Sequence, residues 1–185
     1  HWNVVPDLIT FAKGVNSGYV PLGGVIMNEA IAGTFAERAY PGGLTYAGHP
    51  LACAAAVACI GIYRREGLVE RARRLGAEVI APALAAMGER HACVGDVRGL
   101  GAFWAIELVR NRATREPMVP FNASGEANAP MIEFAAACKR QGLWPCVAGN
   151  RLHLAPPLNI GEADLRAGLA IVDDALDTAD RHCAD

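Results

Sequence analysis

Between Pro50 and Arg65 the chain reads PLACAAAVACIGIYRR, with no charged side chain before Arg64. Ala52, Ala54, Ala55, Ala56, Val57, Ala58 and Ile60 leave few polar positions anywhere around a helix. Pro50 suits the first position of that helix, where its missing N–H costs nothing. A helix that is apolar all round is a buried helix.

The flanking patterns supply the other layers. Residues 4–27 read as two strands around a turn rich in Gly, Asn, Ser and Pro. Residues 29–37 form a short amphipathic helix, and Tyr40 to Pro50 is a Gly- and Pro-rich loop. From Gly67 to Arg90, Leu68, Val69, Ala72, Leu75, Val79, Ala83, Leu84 and Met87 recur near helical spacing, with a kink expected at Pro82. The character changes near His91. A glycine-punctuated strand, or pair of strands, runs from Val94 to Val109, and residues 111–128 read as a polar loop. A helix over 129–141 follows, then strands over 143–147 and 151–154 joined by an Ala148-Gly149-Asn150 turn. A helix over 161–181 closes the chain. The fold class is α/β, with residues 1–90 as one domain and 91–185 as a small α+β domain.

Composition narrows the function. The 185 residues carry a net charge of −2, and no basic cluster alternates with aromatics, so nucleic acid is excluded as a partner. Arg64, Arg65, Arg71, Arg73 and Arg74 are interleaved with Glu66 and Glu70, as on a solvated helix face. No apolar run reaches the ~18 residues of a membrane span. The chain opens on His1-Trp2-Asn3 without a signal sequence. Cys53, Cys59, Cys93, Cys138, Cys146 and Cys183 show no CxxC pair or metal-ligand spacing. They read as reduced, mostly buried thiols of a cytoplasmic protein.

One charge stands out. Of 17 basic residues only Lys13 and Lys139 are lysine. Lys13 sits at the mouth of the first turn, in FAKGVNSGYVPLGGVI. Lysine, unlike arginine, can give up its proton and act as a nucleophile toward a carbonyl. A buried strand end would favour the neutral amine by desolvation, and neighbouring glycines let a flat cofactor approach the backbone. A solvated lysine at a surface turn is the plainer alternative.

Four segments in order carry a resemblance. They are Pro6-Asp7-Leu8-Ile9-Thr10-Phe11-Ala12-Lys13-Gly14 with Gly18-Tyr19-Val20-Pro21-Leu22-Gly23-Gly24; Thr45-Tyr46-Ala47-Gly48-His49-Pro50; Val97-Arg98-Gly99-Leu100-Gly101 leading to Ile106-Glu107-Leu108; and Ala155-Pro156-Pro157-Leu158. Together they resemble the class III aminotransferases, pyridoxal-phosphate enzymes of fold type I, over the whole chain. The resemblance implies that residues 1–90 are the remainder of the large cofactor-binding domain, and 91–185 the small C-terminal domain. It implies that Lys13 carries pyridoxal 5'-phosphate as a Schiff base and shuttles a proton, and that Thr45 binds the cofactor phosphate across a homodimer interface. The substrates would be an amine or ω-amino acid donor and a 2-oxo acid.

The substrate carboxylate is assigned less directly. Where family members place an arginine, this chain has His153 or Cys146, and Arg151, two residues before His153, shares its strand face. Arg151 is thus the candidate clamp, with a solvated hairpin arginine as the alternative. Arg98 reads as structural. The family's pyridine-nitrogen aspartate and ring-stacking aromatic precede the lysine segment, so the 185 residues alone are expected to be inactive. Two other readings are a nucleotide-binding domain built on Gly95-Asp96-Val97-Arg98-Gly99-Leu100-Gly101, and a non-catalytic interaction or structural fragment.

Overall fold

The computed structural model describes residues 1–184 and divides the chain into two compact units, His1–Gly67 and a second from Leu68 onward. The division falls earlier than residue 90. Leu75, Val79, Ile80, Leu84 and Met87 join one core with Ile106, Leu108, Phe134, Val172 and Leu176. Their burial ties the helical run after Gly67 to the C-terminal strands.

In the N-terminal unit, β1 (Leu8–Ala12) pairs antiparallel with β2 (Gly23–Met27). Phe11 lies opposite Gly24, and its ring occupies the space a Cβ on Gly24 would need. The next helix, α1 (Glu29–Gly33), begins under the side chain of Asn28, which accepts from the Ile31 N–H at 2.9 Å. It stops short of residue 37. Thr34 Oγ1 donates back to the Ile31 carbonyl at 2.8 Å and fills the acceptor that another turn would use.

Helix α2 (Pro50–Arg65) forms as its alanines dictate, but it is not buried all round. Only Ala52, Ala56 and Cys59 are buried, whereas Leu51 is 63% and Val57 71% exposed. The physical reason is the size of the unit. A two-stranded sheet and a few turns bury one stripe of small side chains and cannot wrap a helix.

The second unit opens with α3 (Leu68–Leu75) and α4 (Ala81–Arg90). Between them Gly76–Ile80 is a turn of π-helix, so the irregularity falls just before Pro82. Four strands follow, β3 (Val94–Leu100), β4 (Phe103–Asn111), and, after α5 (Ala129–Arg140), β6 (Cys146–Ala148) and β7 (Arg151–Leu154). A short β5 (Glu116–Pro117) adds to β4. The order is β3-β4-β7-β6, all antiparallel, and α6 (Glu162–Asp180) packs beside α5.

Residues 111–128 are less loop-like than their polarity suggests. Met118 and Val119 are fully buried, and the Asn150 side chain bonds the Val119 N–H at 2.6 Å and its carbonyl at 3.0 Å. All six cysteines are free; Cys59, Cys93 and Cys138 are buried, but Cys146 is exposed. The glycine loop from Gly95 to Gly101 belongs to β3 and turns into antiparallel β4, which removes the nucleotide-binding reading. Such a loop needs a helix after the strand, so that its N-terminus meets the phosphate.

Candidate active site

Lys13 follows the last residue of β1 and starts a single 3-10 turn, Lys13–Val15. It is exposed, not held in a buried strand end. Its backbone is left-handed, with φ 53°. That region crowds the Cβ of any L-residue and is uncommon outside glycine. The turn is braced from inside by Asn16, the one polar residue of this unit buried to 1%. Asn16 Nδ2 donates to the Val20 carbonyl, and its Oδ1 accepts from the Gly18 N–H at 3.3 Å. Asn16 N–H closes back on the Lys13 carbonyl at 3.3 Å. A second brace comes from α2, where the Tyr63 hydroxyl donates to the Gly14 carbonyl and lies 3.3 Å from Ser17 Oγ. Sequence reasoning missed Asn16 and Tyr63. The only available signal for Tyr63 was a lone hydroxyl on a helix whose other residues before Arg64 are apolar.

Thr45 lies exposed on the turn that leads into α2. It is not the helix cap, since that position is His49. The turn closes through Ala47 N–H to Leu44 O at 2.9 Å and His49 N–H to Tyr46 O at 3.1 Å, with Gly48 at φ +69°. Cys53 N–H reaches the His49 carbonyl, so the N–H groups of Leu51 and Ala52 precede the first bonded residue of the helix. Free N–H groups at a helix start suit an anion. His49 Nδ1 is buried there without a partner among the described residues.

In the second unit, Arg151 and His153 flank Leu152, which is 1% exposed, so both point to the opposite face of the sheet from the core. Glu107 faces Arg151 across the β4–β7 register, and accepts from Arg98 Nη2 at 2.7 Å. Glu107, and then Asp96, hold the Arg98 guanidinium more firmly protonated than usual. Arg98 is thus committed to carboxylates of its own sheet, as the structural reading expects. Arg151 borders a cavity of about 600 Å³ shared with Val119, Phe121, Asn122 and Asn150.

Residues 1–176 match the sequence profile described as aminotransferase class-III. The chain belongs to this family. Its fold-level relatives agree. Over 95% of this chain, 4-aminobutyrate aminotransferase GabT of Escherichia coli is 37% identical. The crystal structure of taurine:2-oxoglutarate aminotransferase from Bifidobacterium kashiwanohense, in complex with PLP and glutamate, covers 99% of this chain with 35% identity and a TM-score of 0.89. An (S)-enantioselective omega-transaminase from Thermomicrobium roseum covers 96% at 37% identity and a TM-score of 0.83. The fold is therefore that of the fold type I transaminases. The chain spans 39% of the GabT length and 40% of the taurine enzyme's chain.

Class III aminotransferases use pyridoxal phosphate, and the residues present fit it. Lys13 offers an exposed amine beside Gly14 and Gly18, and a Cβ at Gly18 would meet open space. The Thr45 turn offers a hydroxyl and helix-start N–H groups next to an orphaned imidazole nitrogen. Among the described residues no helix is long and apolar enough to cross a membrane.

Proposed function

We propose that the protein containing this chain moves an amino group from an amine or ω-amino acid to a 2-oxo acid with pyridoxal phosphate, and that Lys13 is the residue attached to the cofactor. The observation that carries the reading is the exposed, left-handed Lys13 held by two braces inside a chain of the class III family. Strained backbone at a reactive side chain persists only where surrounding contacts impose it. Pyridoxal phosphate, when bound, supplies an aldehyde that condenses with an amine, releasing water, and a ring that takes up the electron pair of the carbon next to nitrogen.

The chain's own residues divide the remaining work. Lys13 Nζ would take the proton from the amine-bearing carbon of the substrate and deliver it to the cofactor's C4′ carbon. Thr45 Oγ1 and the N–H groups at the start of α2 hold the phosphate. Arg151 binds the substrate carboxylate or sulfonate, since its planar fork matches either. In the full-length protein residues 1–90 are read as the cofactor-domain portion and 91–185 as the small domain, although within this chain the helices from Leu68 to Arg90 pack with the C-terminal core. A homodimer is part of the reading, with Thr45 reaching the partner's cofactor. Exposed apolar side chains at Leu44, Tyr46, Leu51 and Val57 around that turn support it. The six free thiols support a cytoplasmic location.

Lys13→Arg tests the assignment in the full-length protein. The variant is expected to fold and bind pyridoxal phosphate non-covalently. It should lose covalent attachment, read by borohydride fixation and mass, together with transamination. Turnover like that of the wild type sinks the assignment and favours a non-catalytic role for Lys13.

A further inference from the structure

Among the described residues the Tyr63 hydroxyl supplies the side-chain hydrogen bonds that reach the Lys13 turn from a helix. It donates to the Gly14 carbonyl, immediately after Lys13. A carbonyl can only accept, so the proton on Tyr63 is committed to Gly14. The 3.3 Å contact with Ser17 Oγ is then made by Ser17 donating to Tyr63. One phenol oxygen thus ties both ends of the turn, residues 14 and 17, to α2. The turn's two non-glycine residues of positive φ lie at those ends, Lys13 immediately before Gly14 at 53° and Ser17 at 55°. A left-handed backbone sets the Cα–Cβ direction of Lys13, and with it where the amine is presented. The bonded carbonyl belongs to the Gly14–Val15 peptide; without the tie that peptide is free to turn, and Lys13, one peptide before it, can relax toward the ordinary right-handed or extended wells. Asn16 does not replace it. Asn16 bonds only within the turn, to Val20, Gly18 and Lys13, and keeps the turn's shape without orienting it on the scaffold.

We propose that Tyr63 is a positioning residue for Lys13, acting through Gly14 and Ser17 to aim the amine at the cofactor aldehyde. This rests on the reading of Lys13 as the cofactor lysine. Tyr63 touches neither reacting atom. Its effect is on how often the amine points along the productive line, not on how exposed or how basic the amine is.

That distinction gives the experiment. Tyr63→Phe removes the hydroxyl and keeps the ring. In the full-length apo-protein two rates are measured. One is covalent capture of added pyridoxal phosphate, stopped with borohydride and read by peptide mass. The other is acylation by a small amine reagent, with Lys13 scored against Lys139 as internal reference. Capture is expected to slow by about three- to tenfold, the loss of one hydrogen bond's worth of positioning, while the Lys13 to Lys139 acylation ratio stays unchanged. Ser17→Ala, which removes the donor to Tyr63, should slow capture less and in the same direction. Capture at the wild-type rate in Tyr63→Phe overturns the proposal. So does a parallel fall in capture and acylation, which would mean that Tyr63 controls exposure of the turn. If Tyr63→Phe fails to fold, Ser17→Ala decides, and an unchanged capture rate there overturns it. The Lys13→Arg protein separates the two levels. Capture at residue 13 must vanish in it, and any capture elsewhere at an undiminished rate sinks the lysine assignment and not merely the tyrosine's role.

Discussion

Gly76, at the start of the π-helical turn, packs against the backbone of Gly101, so closely that a Cβ on Gly76 would collide with the Gly101 carbonyl. Gly101 in turn holds φ +57° in the β3–β4 turn and accepts from Trp104 Nε1 at 2.7 Å. Two glycines separated by most of a helix and a strand are thus one contact. Gly76→Ala is expected to destabilise the C-terminal unit by about 1–3 kcal/mol, the usual cost of overpacking against an unyielding backbone. Urea unfolding of the purified protein checks it, and a shift in midpoint without a change in slope is the expected form.

Acid should loosen the same unit through Asp180. Burial pushes this carboxyl up, but the Cys93 N–H at 2.9 Å, the Cys93 thiol and His91 outweigh it and hold the carboxyl below its ordinary range. His91 is buried, with Nδ1 2.7 Å from Asp180 and Nε2 3.0 Å from Asp173. A carboxyl depressed in the folded state binds fewer protons there than when unfolded. Its contribution is complete above the unfolded value and is lost as pH falls through the folded one. The melting temperature should therefore be level down to about pH 5 and fall below about pH 4. In Asp180→Asn the fall should be shallower, from a lower starting point.

Thr45→Ala is expected to weaken pyridoxal phosphate binding by roughly 1.5–3 kcal/mol, the worth of a hydrogen bond to a charged group. Fluorescence titration of the full-length apo-protein measures it. If the contact crosses a dimer interface, added cofactor should also tighten the dimer in sedimentation. Unchanged affinity in the variant removes Thr45 from the phosphate site.

Arg151→Leu should raise KM for a carboxylate-bearing donor by about ten- to a hundredfold, with the effect much smaller for a simple amine lacking a carboxylate. An equal effect on both substrates would make Arg151 a structural residue of the hairpin.

The family and the order of elements were legible along the chain because each depends on local chemistry. A Pro-started alanine run makes a helix wherever it lies. Arg151-Leu152-His153 alternates in and out because a strand does, and the register with Glu107 agrees. Asn150, called only a turn residue, shows the limit. Its clasp on Val119 depends on a segment thirty-one residues away, and no local pattern carries that.

What the sequence by itself determined was which segments form helices and strands and which residue types can do the chemistry. Tertiary structure alone decided where the burial falls. The helix from Pro50 is apolar on every side, yet only a stripe of it is covered, because burial depends on what packs against it and not on its own composition. Lys13 was expected in a buried strand end and stands exposed, its backbone strained and tied by Asn16 and Tyr63. The long helical run after Gly67 joined the C-terminal core because Leu75, Val79 and Leu84 found their partners among later strands and helices. Periodicity specifies that a face is apolar. Only the fold specifies which surface meets it, since that depends on contacts between residues far apart in the chain.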